Sequence, residues 1–241
     1  MGRAFEVRKK AMAQTAATKT KVYSKYGKEI YLAAKNGVPD PEMNVVLKRI
    51  IEKAKKFQVP ADIVKRAIDK ASSGTGEDYT STIYEGFGPG ASTLIVECLT
   101  DNVNRSVSEV RSCFTKNKSK IGVGGSVSYQ YDHVSLIVLK GMTEDEVLEA
   151  CLNADVDITS IDTEEDEVTI IGEIANHYAI KTALESFKQD VDIITEEITY
   201  LPQNNEYVTL SGEEKEYFDR LLVMLDEIDD VQNVYHNVAL D

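Results

Sequence analysis

The side chains that most often do chemistry are few in this chain and poorly spaced for it. His133, His177 and His236 fall in different predicted elements, with no H-x-x-x-H pair and no neighbouring cysteine to complete a metal or nucleophile site. Cys98, Cys113 and Cys151 are odd in number, far apart and each set in an apolar pattern, which points to buried free thiols rather than a disulfide frame or a zinc site. The run Thr163-Glu164-Glu165-Asp166-Glu167 lacks the spaced ligands and glycine of a calcium loop, so a solvated hairpin tip is expected there. An acid, a base and a nucleophile cannot be assembled from these segments. No catalytic residue, metal or cofactor is expected.

Phosphate binding is the chemistry that the spacing does support. The first 72 residues hold 17 Lys and Arg against 7 Asp and Glu, whereas the remainder holds 10 against 34, in a chain of net charge -14. Charges are screened over roughly 8 Å at physiological salt, so a basic segment can grip a polyanion although the whole chain is acidic. The expected nucleic-acid contacts are Arg3, Arg8, Lys9, Lys10, Lys19, Lys21, Lys25, Lys28, Lys48, Arg49, Lys53, Lys55 and Lys56. Arg3 to Lys21 precede the first strongly apolar turn and are expected to form an arm that orders on a partner.

Two further stretches carry backbone groups suited to an anion. Glu85-Gly86-Phe87-Gly88-Pro89-Gly90 is glycine-dense and can form either a nest of N–H groups or a tight turn, but it lacks the Lys and Ser/Thr of a nucleotide-binding loop. Thr100-Asp101-Asn102-Val103-Asn104-Arg105 lies where a strand ends and a helix begins. Free N–H groups there could meet a phosphate with help from Arg105, or Asp101 or Asn102 could simply cap the helix; the two are compatible. Tyr84, Glu85, Gly86, Gly88, Pro89, Thr100, Asp101, Asn102 and Asn104 are therefore expected on a presented loop surface. Lys116, Lys118 and Lys120, ahead of Gly122, Gly124 and Gly125, form either a solvated loop or a secondary backbone contact.

The elements that must position these residues follow from periodicity. A helix is predicted from about Tyr23 to Lys35, a second from Pro41 with Asp40 as N-cap and Met43, Val46, Leu47, Ile50, Ile51 and Ala54 on its apolar face, and a third opened by Pro60. Together they imply a three-helix bundle ending in the linker 72–76. Beyond it, strand 93–100, helix 102–118 and strand 126–131 are expected. Strand 134–140, helix 143–154 capped by Thr143 and Glu146, hairpin 157–173, helix 176–188 and strand 192–200 then spell β-α-β-β-α-β, a ferredoxin-like order. The tail adds strand 207–210, a helix from Ser211 capped with Glu214, and strand 231–238, which would complete a second such unit. The expected fold is α+β: a basic helical domain with its linker at 1–76, a discontinuous domain at 77–132 plus 202–241, and an inserted ferredoxin-like acidic domain at 133–201. No apolar run reaches 18 residues and the start lacks the apolar core of a secretion signal, so a cytoplasmic monomer without a membrane partner is expected.

Four segments carry a family resemblance: the opening Met1-Gly2-Arg3-Ala4-Phe5-Glu6-Val7-Arg8-Lys9-Lys10, Lys25-Tyr26-Gly27-Lys28-Glu29-Ile30-Tyr31, Tyr84-Glu85-Gly86-Phe87-Gly88-Pro89-Gly90, and Glu97-Cys98-Leu99-Thr100-Asp101-Asn102-Val103-Asn104-Arg105. These closely resemble the YebC family, the Gly-Arg-Ala-Phe start being most like its YeeN-type branch. The resemblance implies a three-domain α+β protein that regulates gene expression in the cytoplasm without catalysis. It also implies one of two targets: promoter DNA, as in members described as transcriptional regulators, or the ribosome, as in relatives that activate translation or relieve stalling on proline runs. The basic residues are spread over three helices with few Asn or Gln for base edges. That favours a ribosome-associated translation factor holding ribosomal RNA over a DNA-binding transcriptional regulator, with a metal-dependent enzyme a remote third.

Overall fold

A computed structural model describes residues 19–239, except 75 and 77. Arg3, Arg8, Lys9 and Lys10 lie outside the described residues. The bundle comprises α1 (Lys19–Lys35), α2 (Val45–Lys56) and α3 (Ala61–Ser72). Tyr26, Ile30, Ala34, Leu47, Ala54 and Val59 form its buried core, with Ile63, Val64, Ala67 and Ile68 of α3 packed against it. One boundary differs from expectation. Helix α2 begins at Val45, not Pro41, because Asn44 rather than Asp40 is its cap: Asn44 accepts from the Leu47 amide at 3.0 Å while its own amide donates to Ala33 and Val38 carbonyls. Asp40 instead closes a turn by accepting from the Glu42 amide. Met43 and Val46 consequently leave the apolar face and are 72% and 57% exposed.

Along the rest of the chain run β1 (Thr80–Phe87), β2 (Thr93–Thr100), α4 (Val103–Lys116), β3 (Lys120–Ile121), β4 (Tyr131–Lys140), α5 (Glu144–Asn153), β5 (Ser160–Glu164), β6 (Glu167–Gly172), α6 (His177–Phe187), β7 (Asp192–Pro202), α7 (Gly212–Asp226) and β8 (Val231–His236). They build an α+β structure with two four-stranded sheets, ordered β3-β1-β2-β8 and β5-β6-β4-β7, in which every ladder is antiparallel. Between β4 and β7 the elements follow the β-α-β-β-α-β order, and the Thr143–Glu146 capping box is formed at both ends. Ile137, Leu139, Val168 and Ile170 of that sheet meet Val147, Ala150, Ile180 and Leu184 of its two helices.

The first sheet differs from expectation in its strands. Thr80–Phe87 is a full strand, paired residue for residue with β2, where the sequence suggests either a nest of N–H groups or a tight turn from Glu85 onward. Gly86 is needed there because the Phe114 ring packs directly on the backbone; a Cβ would lie 2.2 Å from it. Residues 126–130 are a loop and a short 3-10 turn rather than a strand, since Glu85 captures amides there, and only Tyr131 is strand, as the start of β4; Val127 and Tyr131 are buried but Tyr129 is exposed. Residues 207–210 contribute an isolated bridge, Val208 to Val238, and Ser211 makes no side-chain cap at α7. Leu94 and Val96 of β2, Val110 and Phe114 of α4, and Phe218, Leu221 and Leu225 of α7 share one core. The two sheets meet where Tyr200 of β7 packs edge-on against Tyr235 of β8, 5.1 Å between ring centroids. No helix among the described residues is long and apolar enough to cross a membrane.

Because the segment after Pro202 supplies seven of the thirteen buried residues of the first sheet's core, a chain ending at Pro202 is expected to leave β1 and β2 amides unprotected in hydrogen exchange while β4, β6 and β7 amides keep their protection. Protection of β2 equal to that in the whole chain would refute this dependence.

Candidate nucleic-acid interface

Lys21, Lys25 and Lys28 recur at i, i+4 and i+7 and so share one face of α1. That face is not open to a nucleic acid. Lys21 donates to the Asp226 carboxylate at 2.6 Å, Lys25 to Asn233 Oδ1 at 2.6 Å, and Lys28 to the Asp229 carbonyl at 2.8 Å and Asp230 Oδ1 at 3.2 Å. Asp230 is buried and also accepts from Thr100 Oγ1 and Arg105 Nη2, each at 2.8 Å. Burial alone would raise its pKa, but these donors outweigh that and hold the carboxyl below the usual range. Arg105 also bonds Asp101 at 2.7 Å, and Asn102 caps α4 by accepting from the Arg105 amide at 3.1 Å. Thr100, Asp101 and Arg105 thus latch the bundle, the end of β2 and the start of α4 together; Asn104 stays exposed.

Helix α2 divides its cations by the same geometry. Arg49, Lys53 and Lys56 form a stripe towards β7 and α6: the Arg49 guanidinium lies 3.5 Å from the Tyr178 ring centroid, and Lys56 is 3.9 Å from Glu196. Lys48 and Lys55 lie on a separate stripe, about 100° round the helix, and are exposed, as Lys53 and Lys56 also are at the edge of theirs. On α3, Lys65, Arg66 and Lys70 are exposed too. These three were not expected from the sequence, although Arg66 and Lys70 at i, i+4 on the polar face were a usable signal. Lys48 and Arg66 touch Glu42 and Asp62 in exposed pairs, which are weak enough to exchange for phosphate.

Where α1, α2 and both sheets meet, Lys25, Glu29, Lys53, Glu97 and Glu197 interact electrostatically. Glu97 accepts from Asn233 at 2.8 Å and from the Tyr235 hydroxyl at 2.9 Å. Burial lowers the Lys25 pKa and raises those of Glu29 and Glu197. A carboxyl with a raised folded-state pKa favours the fold at low pH, and that stability is lost as pH rises through the ordinary carboxylate range towards the folded value. Glu197→Gln is therefore expected to raise the melting temperature more at pH 8 than at pH 5. An equal change at both would refute a buried charge at this position.

Tyr84, Glu85 and Gly86 lie on β1 and not on a presented loop; the turn itself is Gly88 to Ala91, with Gly90 at φ +60° and Pro89 buried. Glu85 is buried, and its carboxylate accepts from the Gly125, Val127 and Ser128 amides at 2.6–2.8 Å. Burial would raise its pKa, but those amides outweigh it and hold it below the usual range. The nest that sequence suggested for a phosphate is thus replaced by one on the loop 122–130, filled by the protein's own carboxylate. Glu85→Gln puts N–H against N–H and is expected to destabilise the fold by about 1–3 kcal/mol, with new proteolytic cleavage between Gly122 and Gln130.

Ser135 Oγ lies 2.7 Å from His177 Nδ1, and His177 Nε2 lies 3.8 Å from Glu196, which Lys181 holds at 2.7 Å. Ser135 and His177 are buried between β4 and α6, which leaves no approach for a substrate to the hydroxyl, so the row is a packing contact. His133 stacks on Tyr200 and His236 accepts from the Val238 amide. The three thiols are buried, which pushes Cys98 up to about 11. Among the described residues, no three His, Cys, Asp or Glu gather into a metal site.

Residues 3–74 match the TACO1/YebC protein N-terminal domain, and residues 79–238 match the TACO1/YebC second and third domain. A relative from Pseudoalteromonas atlantica named a "probable transcriptional regulatory protein" is 51% identical over 241 residues, covering 100% of this chain and 98% of its own. One of the same name from Vibrio campbellii is 52% identical over 240 residues and covers 100% of both. The crystal structure of a conserved hypothetical protein from Aquifex aeolicus superposes with a TM-score of 0.76 at 34% identity, covering 94% of this chain and 92% of that one. With both family regions matched in order and relatives aligned from end to end, the chain belongs to the TACO1/YebC family.

Proposed function

We propose that this chain is a non-catalytic, nucleic-acid-binding regulator of gene expression, and specifically a cytoplasmic translation factor that attaches to the ribosome through ribosomal RNA. The observation that carries this is the sorting of cations on the bundle. One stripe of α1 and one of α2 are turned towards acidic residues of the two sheets, while Lys48, Lys55, Lys65, Arg66 and Lys70 face outward. Exposed cations such as these, with Lys48 and Arg66 in weak surface pairs that phosphate can displace, bind phosphate backbones by counterion release. The names of the relatives support regulation as the role, and shape rather than sequence suits RNA. In this proposal residues 1–76 grip, with Arg3, Arg8, Lys9 and Lys10 extending the grip. The discontinuous unit 77–132 plus 202–241 and the inserted unit 133–201 are repelled from RNA and project away from it, carrying Asn104 and the exposed Gly90 and Ala91 of the 88–91 turn towards the working partner. The chain acts as a monomer.

DNA is the second candidate, because the relatives' names point to transcription. Against it, α1, α2 and α3 contain no Asn or Gln between Lys19 and Lys35, Val45 and Lys56, or Ala61 and Ser72, so these helices offer no bidentate donor for reading adenine in a major groove. Combined Lys48→Glu, Lys55→Glu and Lys65→Glu is expected to weaken RNA binding at least tenfold and to lower the slope of log affinity against log salt by about 2. In a sucrose gradient the natural chain should travel with ribosomes at low salt and leave them at high salt. Recovery only in free fractions would end the ribosomal proposal, and crosslinking in cells that returns promoter DNA instead of ribosomal RNA would establish the second.

A further inference from the structure

We propose that the end of α4, the strand β3 and the middle of α7 form a second phosphate-binding patch, which holds an RNA segment other than the one that the bundle grips. This deepens the function proposed above and rests on it: the acidic body carries one attractive place, and its working partner is a second stretch of RNA backbone. The sequence itself marks the place. After residue 72 the chain has 34 Asp and Glu, yet none stands between Val110 and Tyr131, a stretch that carries Arg111, Lys116, Lys118 and Lys120. Charges are screened over roughly 8 Å at physiological salt, so this stretch presents its own positive field on an acidic unit.

The fold adds another cation and holds it in position. Arg220 of α7 donates through Nε to Asn117 Oδ1 at 2.6 Å and through Nη2 to the Lys116 carbonyl at 3.0 Å, and its guanidinium lies 5.0 Å from the Tyr217 ring centroid. Both acceptors are neutral, so these bonds fix the guanidinium plane without cancelling its charge. A guanidinium has more N–H groups than the two used here, and one already oriented suits a phosphate. Lys118 lies 4.2 Å from the same ring centroid and 3.4 Å from Glu213, in a pair whose side chains are 62% and 81% exposed. A pair that exposed is weak enough to exchange for phosphate. Lys116 and Lys120 are exposed beside them. Lys116 also borders the cleft that holds Glu109 and Glu227, and the patch ends on that side.

The C-terminal end of a helix ordinarily repels an anion. At α4 that end is covered by donors: Asn117 Nδ2 bonds the Cys113 carbonyl at 2.7 Å, the Asn117 and Ser119 amides bond the Phe114 carbonyl at 3.0 Å, and Arg220 takes the Lys116 carbonyl. Lys118 gives an independent indication. It follows the cap of α4 at φ +52°, in the left-handed region where glycine is the usual residue after a helix. A lysine there strains the backbone, and such strain gathers at functional positions.

The test uses the whole chain and two short RNA duplexes, one immobilised and one fluorescein-labelled. The chain is loaded on the first, the excess is washed away, and capture of the second is measured. The natural chain is expected to capture it. Combined Lys116→Glu, Lys118→Glu and Lys120→Glu should still load through the bundle but capture about tenfold less or worse, with an unchanged melting temperature. Arginine at the same three positions keeps the charge and should keep the capture, which separates charge from damage to the fold. Capture by the glutamate variant equal to that by the natural chain would overturn the patch, as expected if two chains merely paired. A natural chain that loads but captures nothing overturns the patch and leaves the broader function standing. One that does not load removes both. Capture of labelled polyglutamate as readily as of the duplex would overturn RNA as the partner in favour of an acidic protein.

Discussion

A carboxylate withdrawn from water must be satisfied by donors, and Asp230 is where this chain meets that requirement. Its donors come from three places far apart in sequence: Lys28 on α1, Thr100 at the end of β2 and Arg105 on the first turn of α4. An isolated buried charge costs several kcal/mol, and the loss of any one donor returns part of that penalty. Satisfying the same two oxygens therefore fixes both the strand-to-helix junction and the bundle's position against the first sheet. The neighbouring bonds of Lys21 and Lys25 extend this anchor along the helix, so that α1 lies against the acidic stretch 226–233 over more than one turn.

Once α1 is anchored, helical geometry decides what each remaining cation can do. On α2 the residues 49, 53 and 56 must face β7 and α6 if 47, 50, 51 and 54 face the bundle core, which leaves 48 and 55 for solvent. The acidic units thus neutralise the lysine face of α1 and draw Arg49 of α2 onto Tyr178, leaving the remaining positive potential on the outer surface of the bundle. Mutual neutralisation inside the molecule and attraction of a polyanion outside it are two results of one rotation of the helices.

Much of the fold was legible because local signals and tertiary packing agreed. The run TLIVECLT is β2 to the residue, since a strand covered on both faces needs no alternation. Thr143 and Glu146 announced α5 because both halves of a capping box lie within four residues. Strand β1 was hidden for the opposite reason: the glycine that permits Phe114 to touch its backbone resembles the glycine of a turn. Asp40 lost to Asn44 because only Asn44 can also donate, and its amide ties the loop back to α1. The alternation from 126 to 131 misled because Glu85, some 40 residues earlier, takes the amides that a ladder would have used. For the interface, counting charges found the right segment but not the right faces. Nothing near Lys21 in sequence indicates that its partner is Asp226.

The anchoring of α1 has a consequence in time. Lys21 and Asp226 are separated by 205 residues and Lys28 and Asp229 by 201. At roughly 5–20 residues per second, the ribosome that makes this chain delivers the first partner on the order of 10–40 s before the second. Throughout that interval the lysine stripe that ends up covered is uncovered, beside the RNA surface from which the chain is emerging. The last segment, from Asp226 at the end of α7 through β8, thus completes the first sheet and, in the same step, removes three cations from the surface of the nascent chain.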